Sequence, residues 1–367
     1  MSRVLEVNID DLNCGGVYIL VKTIVENKPD SLSIDLASIE GFESKENEKP
    51  FIKKGCRIFK VNNVSNKLLK QYVVYENMRK LIRKEQYDCV HVHGDTANKL
   101  LTSCYAAKKE GVSQVIAHSH ACGVEGNHRA IKNIIHKLSR FVLNKLNIKK
   151  VACSSLAALW MFGSAEDVEV INNGIETEKF RFDIKKRVEE RHKLGVTNEL
   201  LIGSVGRLCY PKNHSYMLKI AKRLKENAIN YKMVFIGVGE LEQNIRVETR
   251  KLGLEDAVIF YGLTDRVQDL LQAMDVFIIP SIYEGFSIAG LEAQANGIPV
   301  ICSTNLPKEV CVTKNAVVLE IGDRDIDKWC ELICQSEALD REKSVEKVVN
   351  AGFDIQTTLK QIIELYQ

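Results

Sequence analysis

Two cationic side chains stand five residues apart in the segment Gly206-Arg-Leu-Cys-Tyr-Pro-Lys-Asn213. Arg207 offers a planar fork of N–H donors and Lys212 a compact point charge, and both types of cation bind phosphates at the start of a helix. The segment follows a predicted strand and precedes a predicted helix with Asn213 as its N-cap. It therefore predicts a diphosphate site, with an ordinary solvated loop as the alternative.

Two glutamates lie eight residues apart in the segment Ser281-Ile-Tyr-Glu284-Gly-Phe-Ser-Ile-Ala-Gly-Leu-Glu292. If the whole segment were helical, they would be about 12 Å apart along the axis, too far for the glycosidase carboxylate pair at about 5 Å. The two carboxylates are therefore expected to have separate roles, one binding sugar hydroxyls and the other binding a ribose. The alternative, two helix-surface glutamates, suits Glu292 better than Glu284, which follows a strand in an apolar, glycine-bearing turn.

Two histidines alternate in Ala117-His118-Ser-His120-Ala121, at the end of another predicted strand. Residues i and i+2 of a strand share a face, so these imidazoles could ligate zinc, act in catalysis or be structural. No third ligand is nearby in sequence, although His91 and His93 end the preceding predicted strand.

A glycine pair, Gly15 and Gly16, follows the first predicted strand. Paired glycines before a helix let backbone N–H groups approach a phosphate, but a tight turn explains them more simply.

The elements that must position these loops are short apolar strands alternating with amphipathic helices, a pattern typical of βαβ units on a parallel sheet. The predicted strands are Arg3–Ile9, Leu32–Leu36, Arg57–Val61, Cys89–His93, Gln114–His118, Lys150–Cys153, Leu201–Val205, Met233–Ile236, Val258–Phe260, Val276–Ile279, Pro299–Cys302 and Val317–Leu319. The predicted helices include Val17–Val25, Lys67–Arg83, Thr96–Lys109 and Ile131–Leu146.

The pattern stops at the Asn173-Gly174 turn and restarts after a charged stretch that ends near Asn198. We therefore predict an α/β protein of two Rossmann-like, doubly wound domains, residues 1–175 and 176–350, followed by a helical segment 351–367. Ligands of such sheets bind at the carboxyl ends of the strands, where the segments described above lie.

Composition narrows the class of protein and its compartment. The 367 residues carry a net charge of +3, and eleven cysteines are scattered without a CxxC pair. This pattern fits neither a disulfide framework nor a zinc site. No signal peptide and no run long enough to span a membrane is recognisable. We expect a cytoplasmic protein, with no nucleic-acid partner.

Residues 1–165 have a charge balance of +9 and the remainder −6, and no acidic residue occurs between Gly126 and Ala165. Within 128–150, six apolar residues fall on one helical stripe among seven lysines and arginines. A basic amphipathic helix can lie on an anionic membrane surface at the inner face of the plasma membrane. The same stripe could instead pack on the sheet.

Together these segments resemble glycosyltransferase family 4, whose retaining members have the GT-B fold, and the resemblance covers nearly the whole chain. It is closest to members that build bacterial exopolysaccharide or capsule. The most specific element is Glu284-x7-Glu292 within Pro280-Ser-Ile-Tyr-Glu-Gly-Phe-Ser and Leu291-Glu-Ala. Supporting motifs are Gly206-Arg207 with Lys212-Asn213, Gly237-Val-Gly239-Glu240, Asn173-Gly174 and Gly297-Ile-Pro-Val300.

The resemblance implies a role for each candidate residue. Arg207 and Lys212 would bind the donor pyrophosphate, Glu292 the ribose, and Glu284 the transferred sugar. His120, rather than His118, would lie near the reacting carbon, and the last helix, Ile355–Tyr366, would return to the first domain. The catalytic set is then His120, Glu284, Arg207 and Lys212. The donor-binding set is Gly15, Gly16, Arg207, Lys212, Gly239, Glu284, Gly285, Phe286, Ser287 and Glu292.

One segment departs from the family pattern. Where many members have Gly-Gly-x-Pro-Glu, this chain has Ser303-Thr-Asn-Leu-Pro-Lys-Glu309, so backbone contacts to the donor phosphates are expected to differ at this segment. No metal is expected, because Asp323-Arg-Asp325 follows the last predicted strand and is better explained as a helix N-terminal charge cluster.

The resemblance to family 4 implies a retaining transferase. It would move a hexose or N-acetylhexosamine from a nucleotide-diphosphate sugar to a saccharide or lipid-linked saccharide in bacterial surface polysaccharide synthesis. The expected nucleotide is UDP. A non-catalytic nucleotide-sugar-binding partner subunit is the main alternative, and a phosphorylase or epimerase of similar fold is another. A nicotinamide dehydrogenase is disfavoured because no GxGxxG follows a predicted strand.

Overall fold

The computed structural model describes residues 2–9, 16–42, 44–124, 128–337 and 340–367. The chain divides into two compact units, the first comprising Met1–Asn173 with Gln356–Gln367 and the second Gly174–Ile355. The described residues contain one sheet of seven strands and one of six, and every strand pair in both is parallel.

The first sheet has the order β3-β2-β1-β4-β5-β6-β7. Its strands are β1 (Ser2–Val7), β2 (Leu32–Ser38), β3 (Ile58–Lys60), β4 (Cys89–Gly94), β5 (Gln114–Ser119), β6 (Lys149–Ala152) and β7 (Glu169–Val170). The helices between them are α1 (Gly16–Asn27), α2 (Lys45–Lys53), α3 (Lys67–Glu85), α4 (Ala97–Lys109), α5 (Arg129–Leu143) and α6 (Ser155–Phe162).

The second sheet has the order β10-β9-β8-β11-β12-β13. Its strands are β8 (Leu200–Val205), β9 (Tyr231–Ile236), β10 (Val258–Gly262), β11 (Val276–Ile279), β12 (Val300–Ser303) and β13 (Ala316–Leu319). The remaining helices are α7 (Ile184–Lys193), α8 (His214–Glu226), α9 (Glu242–Lys251), α10 (Val267–Ala273), α11 (Ile288–Ala295), α12 (Ile326–Gln335), α13 (Ser344–Asn350) and α14 (Ile355–Glu364).

Each predicted strand is present, with ends within two residues of the prediction. The central strand β11 shows why its apolar run is continuous. Val276 and Ile278 belong to one buried cluster, whereas Phe277 and Ile279 belong to another. Since side chains alternate along a strand, both faces of this parallel sheet are covered and both must be apolar.

Two helical predictions need correction. Helix α5 ends at Leu143 instead of Leu146, because the N–H groups of Lys145 and Leu146 turn back to carbonyls three residues earlier. Helix α2 was not predicted at all, since it is strongly charged and contains Pro50. The hydroxyl of Ser44 caps it by accepting the N–H of Glu46 at 3.1 Å.

The second unit extends to Ile355, five residues beyond the predicted boundary at 350. Ile175 holds this segment, because its N–H donates to the Phe353 carbonyl at 3.0 Å and its carbonyl accepts the Ile355 N–H at 2.9 Å. The predicted return of the last helix to the first unit is confirmed. The Thr358 hydroxyl donates to the Asn172 carbonyl at 2.8 Å, and the Ser2 hydroxyl donates to the Tyr366 carbonyl at 3.2 Å.

Candidate active site

The loops that follow β8 and β9 touch through their backbones, which requires glycine. Gly237 has a φ of +131°, and a Cβ placed there would lie 2.2 Å from the carbonyl oxygen of Gly206. A Cβ on Gly239 would lie 2.4 Å from the carbonyl oxygen of Leu208. Gly239, predicted to contact the donor, therefore has a packing role of its own, which is to let these two loops close together.

Lys212 and Glu284 meet in the loops after β8 and β11. The Lys212 Nζ lies 2.8 Å from Glu284 Oε1, and the Ser281 hydroxyl donates to the same oxygen at 2.5 Å. The Glu284 side chain is only 7% exposed and that of Lys212 24%. Lys212 also lies across Gly206, where a Cβ would come within 3.0 Å of its Cε.

Backbone and amide contacts join these two loops to each other. The Ile282 N–H donates to the Pro211 carbonyl at 2.8 Å, and the Asn213 side-chain amide donates to the Pro280 carbonyl at 3.0 Å. Asn213 occupies the N-cap position of α8 as predicted, but in the left-handed conformation and without a side-chain capping bond. Its side chain joins the loops instead.

The end of strand β12 is also hydrogen-bonded to the loop after β11. The hydroxyl of Ser303, the first residue of the segment that departs from the family pattern, donates to the Ser281 carbonyl at 2.6 Å.

Arg207 is more exposed than Lys212 and lies on the same loop after β8. Its side chain is 35% exposed, and its Nε lies 3.9 Å from the Glu240 carboxylate. That carboxylate belongs to the loop after β9, so Arg207 faces the second of the two loops that the glycines bring together.

Glu292 lies in the second turn of α11, which begins at Ile288 after Ser287. The Ser287 hydroxyl accepts the Gly290 N–H at 3.4 Å, so Ser287 is the helix N-cap. The spacing of about 12 Å inferred from the sequence assumed a helix throughout. That assumption is wrong, because the residues from Glu284 to Ser287 are not helical.

The Glu292 carboxylate has no hydrogen-bond or ion-pair partner among the described side chains. Burial raises its pKa to about 7. A half-buried acid of this kind is unusual unless a ligand completes its hydrogen bonds.

Two other residues of the predicted donor set precede α11. Gly285 is buried, and Phe286 stacks on Phe353 with ring centroids 5.7 Å apart.

The first unit brings four histidines together at the carboxyl ends of β4 and β5, around a carboxylate that the sequence analysis missed. Glu6 of β1 is fully buried, and its Oε2 lies 2.7 Å from Nε2 of His93. The Nδ1 of His93 lies 2.8 Å from Nε2 of His120. The hydroxyl of Tyr366 donates to Glu6 Oε1.

A second branch leads away from Tyr366. The Tyr366 oxygen lies 2.7 Å from Nδ1 of His91, and the His91 Nε2 lies 3.0 Å from Nδ1 of His118. The Nε2 of His118 is buried without a partner among the described residues. His91, His93 and His118 are close enough to hold a metal ion, but hydrogen bonds already occupy five of their six ring nitrogens.

The charges in this cluster follow from burial and contact. Although burial opposes ionisation of Glu6, the neighbouring histidines outweigh it and hold the Glu6 pKa well below its usual range. Burial lowers the pKa of His93 to about 4 and those of His118 and His120 well below the usual value. Burial also raises the pKa of Tyr366 well above its usual value. At neutral pH the Glu6 carboxylate is therefore ionised, whereas His93, His118, His120 and Tyr366 are neutral.

His120 lines a small pocket of about 180 Å³ together with Asn8, Tyr18, His93 and Lys99. Gly16, the first residue of α1, is part of the same wall, so the predicted His120 and Gly16 do come together. Gly15 lies outside the described residues.

Glu6 and Tyr366 were not predicted as site residues. A glutamate inside an apolar strand that is buried on both faces was a signal for Glu6, because an acid is rarely buried without a partner. Tyr366 carried no such signal, since only the return of the C-terminal segment brings it to β1.

The Asp323-Arg-Asp325 segment forms a short 3-10 helix that leads directly into α12. Its Asp323 carboxylate pairs with the Lys219 Nζ at 2.6 Å.

Helix α5 turns its apolar stripe away from the first unit. Its buried residues, His136 and Leu143, lie on one side, where His136 stacks on Trp160 with ring centroids 4.0 Å apart. The opposite side carries exposed apolar residues, namely Ile131, Ile134, Ile135, Leu138, Phe141 and Val142. The alternative, that this stripe packs on the sheet, is therefore wrong for the six exposed residues. No helix in the described part of the chain is long and apolar enough to cross a membrane.

Comparison with known families and structures decides the class. Residues 186–354 match the family model "Glycosyl transferases group 1", and residues 39–179 match "Glycosyltransferase Family 4". The chain is a glycosyltransferase of the GT-B fold.

This glycosyltransferase is 28% identical to "Putative glycosyltransferase EpsF" of Bacillus subtilis, over 100% of this chain and 96% of that protein. It is also 28% identical to "UDP-Gal:alpha-D-GlcNAc-diphosphoundecaprenol alpha-1,3-galactosyltransferase" of Escherichia coli, over 82% of this chain and 80% of that protein. The crystal structure of Anabaena HepE in complex with UDP-glucose has the same fold. Its TM-score is 0.79 at 17% identity, with 99% of each chain covered.

No disulfide joins the described cysteines, which are Cys56, Cys89, Cys104, Cys122, Cys153, Cys209, Cys302, Cys311, Cys330 and Cys334.

Proposed function

We propose that this glycosyltransferase moves a hexose or N-acetylhexosamine from a nucleotide-diphosphate sugar to a saccharide or lipid-linked saccharide, with retention of configuration. UDP is the proposed nucleotide, and bacterial surface polysaccharide the proposed product. Two observations carry the proposal: Lys212 pairs with Glu284 at 2.8 Å, and Glu292, eight residues further along the chain, is an acid whose pKa is raised by burial and which has no described partner. The names of two similar proteins support a nucleotide sugar and a lipid-linked acceptor.

Lys212 and Arg207 are the proposed ligands of the donor pyrophosphate. Lys212 is held in place by Glu284 and by the wall of the β8 loop, so little reorganisation is needed when a phosphate arrives. Fixed cations stabilise a leaving diphosphate most when its charge is fully developed, and this selectively lowers the transition state. The acceptor would then attack from the face that the diphosphate leaves, so that configuration is retained.

Glu284 and Glu292 are proposed to bind the two hydroxyl-rich ends of the donor. Glu284 accepts from Lys212 and Ser281 through Oε1, and these bonds fix its carboxylate where a hydroxyl of the transferred sugar can donate to it. An ionised Glu292 could accept both hydroxyls of a ribose. Hydrogen bonds donated to a carboxylate favour its charged form, so a bound ribose would lower the raised pKa of Glu292.

A thermal-shift screen tests the donor proposal, because a ligand that binds only the native state raises the melting temperature. The probes are UDP-glucose, UDP-galactose, UDP-N-acetylglucosamine and GDP-mannose. We expect stabilisation by at least one UDP-sugar in the wild type and its loss in Glu292→Gln. The exposed Glu331→Gln of α12 serves as the matched control and should respond like the wild type.

Stabilisation by GDP-mannose alone would overturn the choice of nucleotide. If no nucleotide sugar stabilised the wild type, the donor site itself would be wrong. Slow hydrolysis of the stabilising nucleotide sugar would separate the transferase from the alternative, a non-catalytic binding subunit.

We propose further that the exposed face of α5 lies on an anionic membrane surface. On a helical wheel its six exposed apolar residues span an arc of about 120°, centred opposite the buried His136 and Leu143. Lys137 and Lys132 flank this arc, about 40° and about 60° beyond its two edges on the helical wheel, and their long cationic side chains can reach lipid head groups. The charge balance of +9 in residues 1–165 agrees with such a partner.

A further inference from the structure

We propose that Glu6 is a positioning residue for His120 and that it acts through His93 to hold the His120 ring as the tautomer with a bare Nδ1. The proposal rests on the proposed function only in assigning His120 to the sugar-binding pocket. The evidence for the hydrogen-bonded chain Glu6–His93–His120 is independent of that function, because it consists of distances within the first unit.

The ionised Glu6 carboxylate determines which ring nitrogen carries the proton in His93 and, through it, in His120. An ionised carboxylate can only accept hydrogen bonds, so the contact at 2.7 Å requires a proton on His93 Nε2. His93 is neutral, because burial lowers its pKa to about 4, and its Nδ1 therefore carries a lone pair. That lone pair must accept the contact at 2.8 Å from His120, so the His120 proton is on Nε2.

The outcome is a fixed acceptor in the pocket. With its proton on Nε2, a neutral His120 presents Nδ1 as a bare nitrogen. His120 is only partly buried and lines the pocket with Gly16 and Lys99. A sugar hydroxyl that donates to this nitrogen helps to stabilise positive charge on the sugar ring. The carboxylate behind His93 makes the nitrogen a stronger acceptor, as outer-shell carboxylates do for histidines in metal sites.

Tyr366 contacts the other oxygen of the Glu6 carboxylate. Its hydroxyl donates to Glu6 Oε1, so its oxygen accepts from His91, and this branch ends at His118 Nε2, which has no partner among the described residues. His91 Nδ1 also lies 3.4 Å from Glu6 Oε2, so the carboxylate anchors both branches, but only the His93 branch ends at the pocket. The two branches can be separated by mutation.

Glu6→Gln removes one acceptor oxygen and replaces it with a donor, so the two branches cannot both keep their protons in place. Tyr366→Phe removes only the hydroxyl that joins Glu6 Oε1 to His91, and the His93 contact with Glu6 remains. Tyr366→Phe is therefore the matched control.

The first measurement is the nitrogen NMR spectrum of the ligand-free protein labelled with ¹⁵N-histidine, with His120→Asn used to assign the resonances. We expect His120 to carry its proton on Nε2 in the wild type and in Tyr366→Phe, and to lose this single tautomer in Glu6→Gln. A wild-type His120 protonated on Nδ1 would overturn the proposal, even if Glu6→Gln failed to fold. This result needs no donor, so it stands apart from the proposed function.

The second measurement is steady-state kinetics with the donor that the screen identifies. We expect Glu6→Gln to lower kcat about 10- to 100-fold with little change in the donor KM, because the residue orients a catalytic group and does not bind the nucleotide. Equal losses in Glu6→Gln and Tyr366→Phe would show that the cluster is merely structural. If the NMR result held but no sugar were transferred, the proposed function would fail and the hydrogen-bonded chain would remain.

Discussion

The Nζ of Lys212 lies 2.8 Å from Oε1 of Glu284, although 72 residues separate them in the chain. Each was predicted as a donor-binding residue from its own loop. Their contact places a cation and a carboxylate at the carboxyl ends of β8 and β11, which are neighbours in the sheet. Neighbouring parallel strands end at one edge, and this is where ligands of such sheets bind.

Lys212→Ala should lower kcat by about 10²–10³, the loss expected when one fixed charge on a developing anion is removed. Nucleotide release measured under saturating donor would report it. The control is Lys219→Ala, an exposed lysine on α8 that pairs with Asp323. Full turnover by Lys212→Ala would contradict the pyrophosphate assignment.

Donor affinity should depend on the protonation of Glu292. Its pKa in the free protein is raised to about 7, and a ribose that donates to the carboxylate binds the ionised form. The donor Kd should therefore be lowest above pH 7 and rise as pH falls, by up to about tenfold per pH unit. Calorimetric titration from pH 5.5 to 8.5 would measure the trend, and Glu292→Gln should flatten it. An equally steep dependence in that variant would assign the effect elsewhere.

Gly237→Ala should destabilise the second unit by about 1–3 kcal/mol, since the residue combines a positive φ with a backbone oxygen 2.2 Å from the new Cβ. Urea denaturation would report the loss. Gly195→Ala is the control, because Gly195 also has a positive φ, +65°, but nothing lies within 4 Å of the position that its Cβ would take. If both variants lost the same stability, the close contact would contribute nothing.

The first unit should lose stability on mild acidification. The His93 pKa is near 4 in the folded protein and near its ordinary value of 6.5 in the unfolded chain, so the unfolded chain binds more protons between these values. The free energy of unfolding should fall as pH drops from 6.5 to 4, by up to about 1.4 kcal/mol per pH unit for each such histidine. His118 and His120 shift in the same direction and add to the slope.

Denaturation curves at several pH values would measure that slope, and His118→Asn should reduce it. A slope unchanged in His118→Asn would mean that the folded protein already tolerates a proton at this position.

The exposed face of α5 should bind anionic vesicles. Replacing Ile134, Leu138 and Phe141 together by serine should abolish co-sedimentation with phosphatidylglycerol vesicles at low salt, because these are the three most exposed apolar side chains of the face. Leu263→Ser is the control, since Leu263 is 69% exposed but lies in the second unit. Sedimentation of the wild type as a dimer, without vesicle binding, would show that a second copy covers the face.

The sequence alone determined the two parallel sheets and the loops that carry the chemistry. Apolar strand runs such as Val276–Ile279 and glycine-bearing loops such as Gly206–Asn213 are local patterns. Such patterns involve residues that are close in sequence, so they can be recognised without the structure. The pairing of β8 with β11, which brings Lys212 and Glu284 together, came from the tertiary structure.

The tertiary structure alone decided which residues complete the histidine cluster and which way α5 faces. Glu6 and Tyr366 are 360 residues apart, and no local pattern joins them. The stripe of α5 has the same period whether it packs inward or faces outward, because periodicity fixes which side chains share a face and not what that face meets. Only the packing of His136 against Trp160 settles the direction of the helix.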